Sequence, residues 1–241
     1  MANLAGMTDQ PAPVRPYTIL SCAMSVDGRI DDAGPDRLRL SNEADFDEVD
    51  ELRAGCDAIL VGAGTVRADD PRLLVRSQRR RQRRLAEGRT AHPLKAVLSA
   101  SGGLDPGARI FTTGDAGAVV YTGDGAYAAA ARRFAEAAGV DVVAAGDPPE
   151  PGAVAADLAL RGVRRLMVEG GTAVHTAFLT AGLADELRLA VAPFFVGDAA
   201  APRFVDPGAF PYGPGRPMRL AETRAIGDVV LLRYLLDGDR A

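Results

Sequence analysis

The chain has 241 residues, of which 47% are hydrophobic and 25% are charged, and this balance excludes wholesale disorder. Its 28 basic and 32 acidic residues give a net charge of −4, which predicts no general attraction to nucleic acid. Lys95 is the single lysine and stands in no P-loop motif, while two histidines and two cysteines are too few for a zinc cluster or a disulfide-rich scaffold. These counts favour a metal-free protein of a reducing compartment.

The first segment of the chain, residues 1–16, has three prolines and no periodic pattern, so we predict a flexible tail there. It lacks the apolar run of about 7–15 residues that a signal peptide needs. No later apolar run approaches the roughly 20 residues that cross a bilayer. We therefore expect a cytoplasmic protein with no membrane partner, and a single domain over residues 17–241.

Short strand-like runs alternate with helical runs along the first two thirds of the chain. Residues 17–24 predict a half-buried strand, and Ser41 is the predicted N-cap of a helix that runs to about Ala54. Residues 57–61 are almost wholly apolar, which is typical of a strand covered on both faces. Further strands are predicted at 95–99, 117–122, 140–144 and 165–168, and further helices at 125–138, 154–161 and 172–181.

The last third of the chain has a different pattern, because two long strands at 186–195 and 228–236 follow each other with no helix between them. Repeated strand–helix units that end in a strand pair indicate an α/β fold. We expect a mostly parallel central sheet with antiparallel C-terminal strands and with helices on both faces.

The segment from Arg72 to Arg89 holds eight arginines and one acid, Glu87. Such a run is typical either of an RNA-binding arm or of a solvated loop or short helix that offsets an acidic body. No aromatic residue is interleaved for base stacking, which favours the solvated segment.

Two strand–glycine–helix junctions are candidates for phosphate binding. The first, GAGTVR at 62–67, has Arg67 where a dinucleotide fingerprint has its third glycine, so it does not predict a Rossmann site. In the second, Glu169-Gly170-Gly171-Thr172, the glycines fall between a buried strand and a helix. This junction is either a phosphate site at a helix N-terminus or a tight turn capped by Thr172.

Three further features have both a structural and a functional interpretation. Asp69-Asp70-Pro71 is either a helix stop with solvated acids or a pair of hydrogen-bond acceptors at the carboxyl edge of the sheet. His175 lies within a predicted helix and is interpreted as a packed residue rather than a base. Cys22 lies within a predicted strand and is expected in the core.

Six segments, in this order and spacing, carry a specific combination of motifs across about residues 17–236. They are MSVDGRI at 24–30, LRA at 52–54, DAILVGAGTVRADDPRL at 57–73, VEGG at 168–171, GLADEL at 182–187 and APFFVG at 192–197. With them the chain resembles the riboflavin-biosynthesis pyrimidine reductase family, the reductase domain of the bifunctional deaminase–reductase. The zinc-binding H-x-E and P-C-x-x-C motifs of the deaminase are absent.

The resemblance implies a dihydrofolate-reductase-like three-layer fold and an NADPH-dependent oxidoreductase. Its substrate would be a phosphorylated pyrimidine, a 5-phosphoribosylamino-pyrimidine whose ribosyl group is reduced to ribityl by hydride transfer to C1′. Both the deaminated uracil and the non-deaminated diamino form are open. The resemblance also implies a homodimer, to whose interface the apolar residues 187–196 are expected to contribute.

The resemblance assigns residues to the two ligands. Glu169 is a catalytic candidate, and Arg53 and Arg76 suit charge-assisted contacts to the substrate phosphate. The expected substrate contacts are Arg53, Leu73, Arg76 and Glu169. The expected cofactor contacts are Met24, Arg39, Thr65, Asp69, Gly170, Gly171, Thr172, Ala173 and Val174.

The chain departs at three positions from the family that it resembles. Many relatives carry a tryptophan where Arg39 stands, and some carry a serine at Arg37 or at Ala100. Three hypotheses therefore stay open: the riboflavin pyrimidine reductase, a same-fold reductase of another pterin- or pyrimidine-like substrate, and a non-catalytic protein that binds RNA through its arginine run.

Overall fold

A computed structural model describes residues 15–34 and 38–236. The predicted tail lies outside these ranges up to residue 14, and so does Arg37. Arg15, at the end of the predicted tail, donates two hydrogen bonds to the Asp185 carboxylate at 2.6 and 2.8 Å. Asp185 also accepts from the backbone N–H of Thr18 at 2.7 Å. Asp185, directly before the seventh strand, is therefore bonded to both Arg15 and the start of the first strand.

A single sheet of nine strands forms the centre of the described structure, in the order β5-β4-β3-β2-β6-β1-β7-β9-β8. The strands β1 to β7 pair in parallel, whereas β9 is antiparallel to both β7 and β8. Their bounds are β1 Tyr17–Ser25, β2 Ala58–Gly62, β3 Leu94–Ser99, β4 Ala118–Thr122, β5 Val140–Ala144, β6 Arg165–Gly170, β7 Glu186–Ala192, β8 Arg219–Ile226 and β9 Val229–Leu235.

Helices cover both faces of this sheet. Successive side chains of the buried strands therefore point alternately into two hydrophobic cores, one on each face. In β2, Leu60 packs in one core with Phe178, while Ile59 packs in the other with Leu52. A short 3₁₀ turn, Asp124–Ala126, precedes the fifth helix. The helices are α1 Glu43–Gly55, α2 Ala63–Asp69, α3 Gln78–Ala86, α4 Arg109–Thr112, α5 Tyr127–Arg133, α6 Pro151–Leu160 and α7 Thr172–Thr180.

The predicted α/β architecture is confirmed, with corrections to individual elements. The N-cap of α1 is Asn42 rather than Ser41, since the Asn42 side chain accepts from the backbone N–H of Asp45 at 2.9 Å. The helix predicted at 125–138 is shorter, and β7 ends at Ala192 instead of 195. The sequence did not reveal α4 or β8, an edge strand that is almost wholly exposed.

The arginine run forms α3, and two of its side chains are buried, so the prediction of a solvated segment was wrong at these positions. Arg80 donates to the carboxylates of Asp47, Asp50 and Glu51 on α1 at 2.6–3.0 Å. Arg84 donates to three backbone carbonyls, including Cys56 O at 2.6 Å. These bonds hold α3 against α1.

Lys95 is buried, and its Nζ donates to the carbonyls of Ile110, at 2.8 Å, and Thr113. Burial lowers the pKa of this ammonium group to about 8. The lysine therefore joins β3 to the segment around α4, and it is not among the residues that line the cleft described below.

Candidate active site

A cleft of about 990 Å³ follows the carboxyl edge of the sheet, where β2, β3 and β6 end. Gly62, Ser99 and Glu169, from the ends of these three strands, all line it. Its walls include residues of α1, of α2 and of the first turn of α7. This is the edge at which open α/β sheets bind their ligands.

The two glycine junctions meet in this cleft because β2 and β6 are neighbours in the sheet. A Cβ atom at Gly171 would lie 3.5 Å from Thr65 Oγ1, and one at Gly62 would lie 2.9 Å from Val174 Cγ2. Glycine at position 62 therefore allows the start of α7 to approach the end of β2 closely.

The N-terminus of α7 opens directly behind the glycine pair. Gly171 is the N-cap and provides no side-chain cap, while Thr172 Oγ1 donates to Arg203 O at 2.5 Å. The interpretation of Thr172 as the N-cap was therefore wrong. Since the first N–H groups of a helix have no acceptor within it, those of Thr172 and Ala173 suit a phosphate, and the helix dipole favours an anion there.

Arg53 of α1 and Glu169 of β6 form a bidentate ion pair in which both N–O distances are 2.6 Å. The side chains are only 18% and 14% exposed. Burial is the largest influence and lowers the pKa of Arg53, but the charge and hydrogen bonds of Glu169 and the charge of Asp50 together outweigh it, so the pKa is raised. Glu169 already binds the guanidinium group of Arg53, so a substrate phosphate that contacts Arg53 would have to share this group with Glu169. The pairing also orients the Glu169 carboxylate as a hydrogen-bond acceptor in the cleft.

A second polar group lies around Phe46 of α1. The guanidinium groups of Arg39 and Arg76 lie over its ring, 5.4 and 5.5 Å from the centroid. The Asp50 carboxylate accepts the backbone N–H of Arg76 and, at 3.0 Å, that of Ser77. Arg39, expected to contact the cofactor, therefore shares its surroundings with Arg76, expected to contact the substrate.

Most of the predicted site residues line this one cleft, and three do not. Met24 packs against the core, and Leu73 is 4% exposed. Gly170 lies beneath the cleft lining with φ +107°, and a Cβ there would lie 2.7 Å from His175 Nε2. These three residues are not part of the cleft lining. Those that line it are Arg39, Arg53, Thr65, Asp69, Arg76, Glu169, Gly171, Thr172, Ala173 and Val174.

The two acids of the Asp69-Asp70 pair have different roles. Asp69 lines the cleft. Asp70 has φ +38°, accepts the backbone N–H of Arg109 at 2.8 Å and forms an ion pair with its side chain at 3.0 Å. Asp70 is therefore structural, and only Asp69 remains a ligand candidate.

His175 is fully buried, and neither ring nitrogen has a hydrogen-bond partner among the described residues. Its ring packs 5.2 Å from that of Phe204, and burial lowers its pKa to about 4. The prediction of a packed histidine is confirmed. Cys22, expected in the core, packs against it and also lines the cleft, and burial raises the pKa of its thiol to about 12.

Sequence reasoning also missed Arg67 and Arg188 as cleft residues. The presence of arginine in place of the fingerprint's third glycine could have indicated Arg67 as a cleft residue. Within the described ranges, no group of His, Cys, Asp and Glu side chains is arranged to hold a metal ion.

Residues 16–232 match the family model for the RibD C-terminal domain. The chain belongs to this family. An Archaeoglobus fulgidus relative named 2,5-diamino-6-ribosylamino-4(3H)-pyrimidinone 5′-phosphate reductase is 38% identical over 197 residues, 82% of this chain and 89% of the relative. A Methanothermobacter thermautotrophicus relative of the same name is 32% identical over 226 residues, 93% of this chain and 100% of the relative.

Solved structures of other proteins show the same fold. A pyrimidine reductase-like protein from Corynebacterium diphtheriae has a TM-score of 0.76 at 23% identity and covers 93% of each chain. Acinetobacter baumannii RibD has a TM-score of 0.74 at 24% identity, over 92% of this chain and 58% of that one. The expected resemblance and its fold are thereby confirmed. None of the helices in the described part of this chain has the length and apolarity to cross a membrane.

Proposed function

We propose that this RibD-family chain is an NADPH-dependent oxidoreductase of riboflavin biosynthesis that reduces the ribosyl group of a phosphoribosylamino-pyrimidine to ribityl. The observation that carries the proposal is the convergence in one cleft of an open helix N-terminus, the Arg53–Glu169 pair and Arg76. Such a cleft offers separate places for a dinucleotide and for a phosphorylated polar substrate.

Each part of the cleft has a chemical role in this reaction. The N–H groups of Thr172 and Ala173 would hold the cofactor pyrophosphate, with Thr65 and Asp69 beside it. Bound NADPH supplies the hydride. Glu169, oriented by Arg53, would accept hydrogen bonds from substrate amino or hydroxyl groups, and Arg76 would bind the substrate phosphate.

The non-deaminated diamino pyrimidine is the substrate form that we propose, because both relatives described above are named for it. The alternative is a same-fold NADPH reductase of another pterin- or pyrimidine-like molecule. The RNA-binding hypothesis loses support, since Arg80 and Arg84 of the arginine run are buried in contacts within the protein.

A cytoplasmic homodimer is part of the same proposal. Both cysteines are free, as a reducing compartment requires. The expected interface needs revision, because β7 lies inside the sheet with Leu187 and Leu189 buried. Phe195, just beyond β7, is 73% exposed and is the better candidate for contact with a second copy.

The test is loss of NADPH absorbance with the diamino and the deaminated pyrimidine in parallel. We expect turnover of the diamino form, and we expect Arg76→Gln to raise KM about tenfold or more because one charge-assisted phosphate contact is lost. Arg79→Gln removes the same charge from an exposed position outside the cleft and should leave both constants unchanged. NADPH binding without turnover of either pyrimidine would contradict the assigned substrate and favour the alternative.

A further inference from the structure

The arginines that line the cleft differ in whether a carboxylate already neutralises them. Three are paired: Arg39 with Glu43, Arg53 with Glu169 at 2.6 Å, and Arg188 with Glu186 at 2.6 Å. Within residues 15–34 and 38–236, the other two cleft arginines form no ion pair: they are Arg67 and Arg76. Both are exposed. An exposed cation without a counterion, on the wall of a ligand cleft, is available to an anionic ligand.

The two unpaired arginines belong to different parts of the cleft wall. Arg76 lies over Phe46 of α1, and α1 packs on β6. Arg67 belongs to α2, which packs on β2 and β3. The cleft therefore presents two cations on separate elements, Arg76 beside α1 and Arg67 on α2. Two such cations suit two anionic groups.

The ligands of the proposed function carry two phosphate monoesters. One is the 5′-phosphate of the substrate, which the proposal assigns to Arg76. The other is the 2′-phosphate of NADPH, the single group by which NADPH differs from NADH. The pyrophosphate of the cofactor already has the N–H groups of α7, so it does not need Arg67.

We propose, on the basis of the proposed function, that Arg67 binds the 2′-phosphate of the cofactor and selects NADPH over NADH. Ser101 assists from the same cleft, since its exposed side chain accepts only the N–H of Gly103, at 3.3 Å, and keeps its O–H to donate. An arginine beside the ribose is a recurrent solution for NADP recognition. A phosphate monoester of nearly two negative charges fits this unpaired cation.

The experiment is calorimetric titration of the full chain with NADPH and, separately, with NADH. The wild type should bind NADPH more tightly, and Arg67→Gln should weaken NADPH binding about ten- to hundredfold while changing NADH binding less than about twofold. Arg67→Lys keeps the charge and should restore part of the loss. Arg72→Gln is the matched control, because Arg72 is exposed and lies five positions away outside the cleft.

The outcomes separate this inference from the function on which it rests. A loss confined to NADPH supports the role of Arg67. An equal loss for both cofactors, or no loss in Arg67→Gln, overturns it while the proposed function stands. A wild type that binds NADPH and NADH equally also overturns the role of Arg67, while the proposed function stands. A wild type that binds neither overturns the proposed function and this inference together.

Discussion

Acid should weaken this protein through His175. The imidazole is fully buried, has no hydrogen-bond partner among the described residues and has its pKa lowered from 6.5 to about 4 by loss of solvent. Because the unfolded chain takes up the proton at higher pH than the folded chain, protonation favours unfolding. The stabilisation present above pH 6.5 is therefore lost as the pH falls from 6.5 towards 4.

The size of the effect follows from the two pKa values. One pH unit corresponds to about 1.4 kcal/mol, so the whole window between 6.5 and 4 amounts to about 3 kcal/mol. At pH 5 the unfolded histidine is almost fully protonated and the folded one almost fully neutral, which gives a loss of about 2 kcal/mol. Against a usual total of about 5–15 kcal/mol, this change is readily measured.

Urea denaturation at pH 7.5 and pH 5, on the wild type and on His175→Phe, isolates this contribution. Phenylalanine keeps a ring against Phe204 and cannot take up a proton, so the variant should lose about 2 kcal/mol less than the wild type. His92→Gln controls for the second histidine, whose pKa is also lowered by burial. Equal losses in the wild type and in His175→Phe would refute the assignment of a neutral buried imidazole.

Two further substitutions test the packing around the site, each against a matched control in thermal and urea denaturation. Gly170→Ala should cost about 2 kcal/mol or more, since φ is +107° and the new Cβ would meet the His175 ring, whereas Gly152→Ala in α6 has open space and should not destabilise. Arg80→Leu should cost about 3 kcal/mol because it leaves the buried Asp50 carboxylate without its cation, whereas the exposed Arg79→Leu should stay within about 0.5 kcal/mol. Costs that match those of the controls would contradict the packing described above.

Local patterns predicted most of the elements, but not which of them become neighbours. The GAGTVR and EGGT junctions were both visible as glycine turns, yet their meeting depends on β2 lying beside β6. Likewise, Arg53 and Glu169 were both candidates, but they are 116 positions apart, and nothing in the sequence shows that their side chains pair. The site was therefore predictable as a set of residues and not as an arrangement.

Where the sequence interpretation was wrong, another interaction outweighed the local pattern. β8 is an edge strand with most of its residues exposed to water, so its composition is that of an exposed segment and did not indicate a strand. The arginines of α3 suggested solvation, but acids of α1 and carbonyls at its end bury Arg80 and Arg84. Such compensation comes from distant parts of the chain, so a charge count along one segment does not reveal it.

Because Lys95 is buried and is the single lysine of the chain, its chemical modification reports local opening of the structure around it. Acylating reagents attack uncharged amines that they can reach, and the only side-chain amine here is 1% exposed and bonded to two carbonyls. The rate at which Lys95 is labelled therefore measures how often β3 separates from the segment around α4. Peptide mass mapping distinguishes this labelling from that of the terminal amine. A fluctuation that usually needs amide exchange to detect becomes visible here as the modification of one side chain.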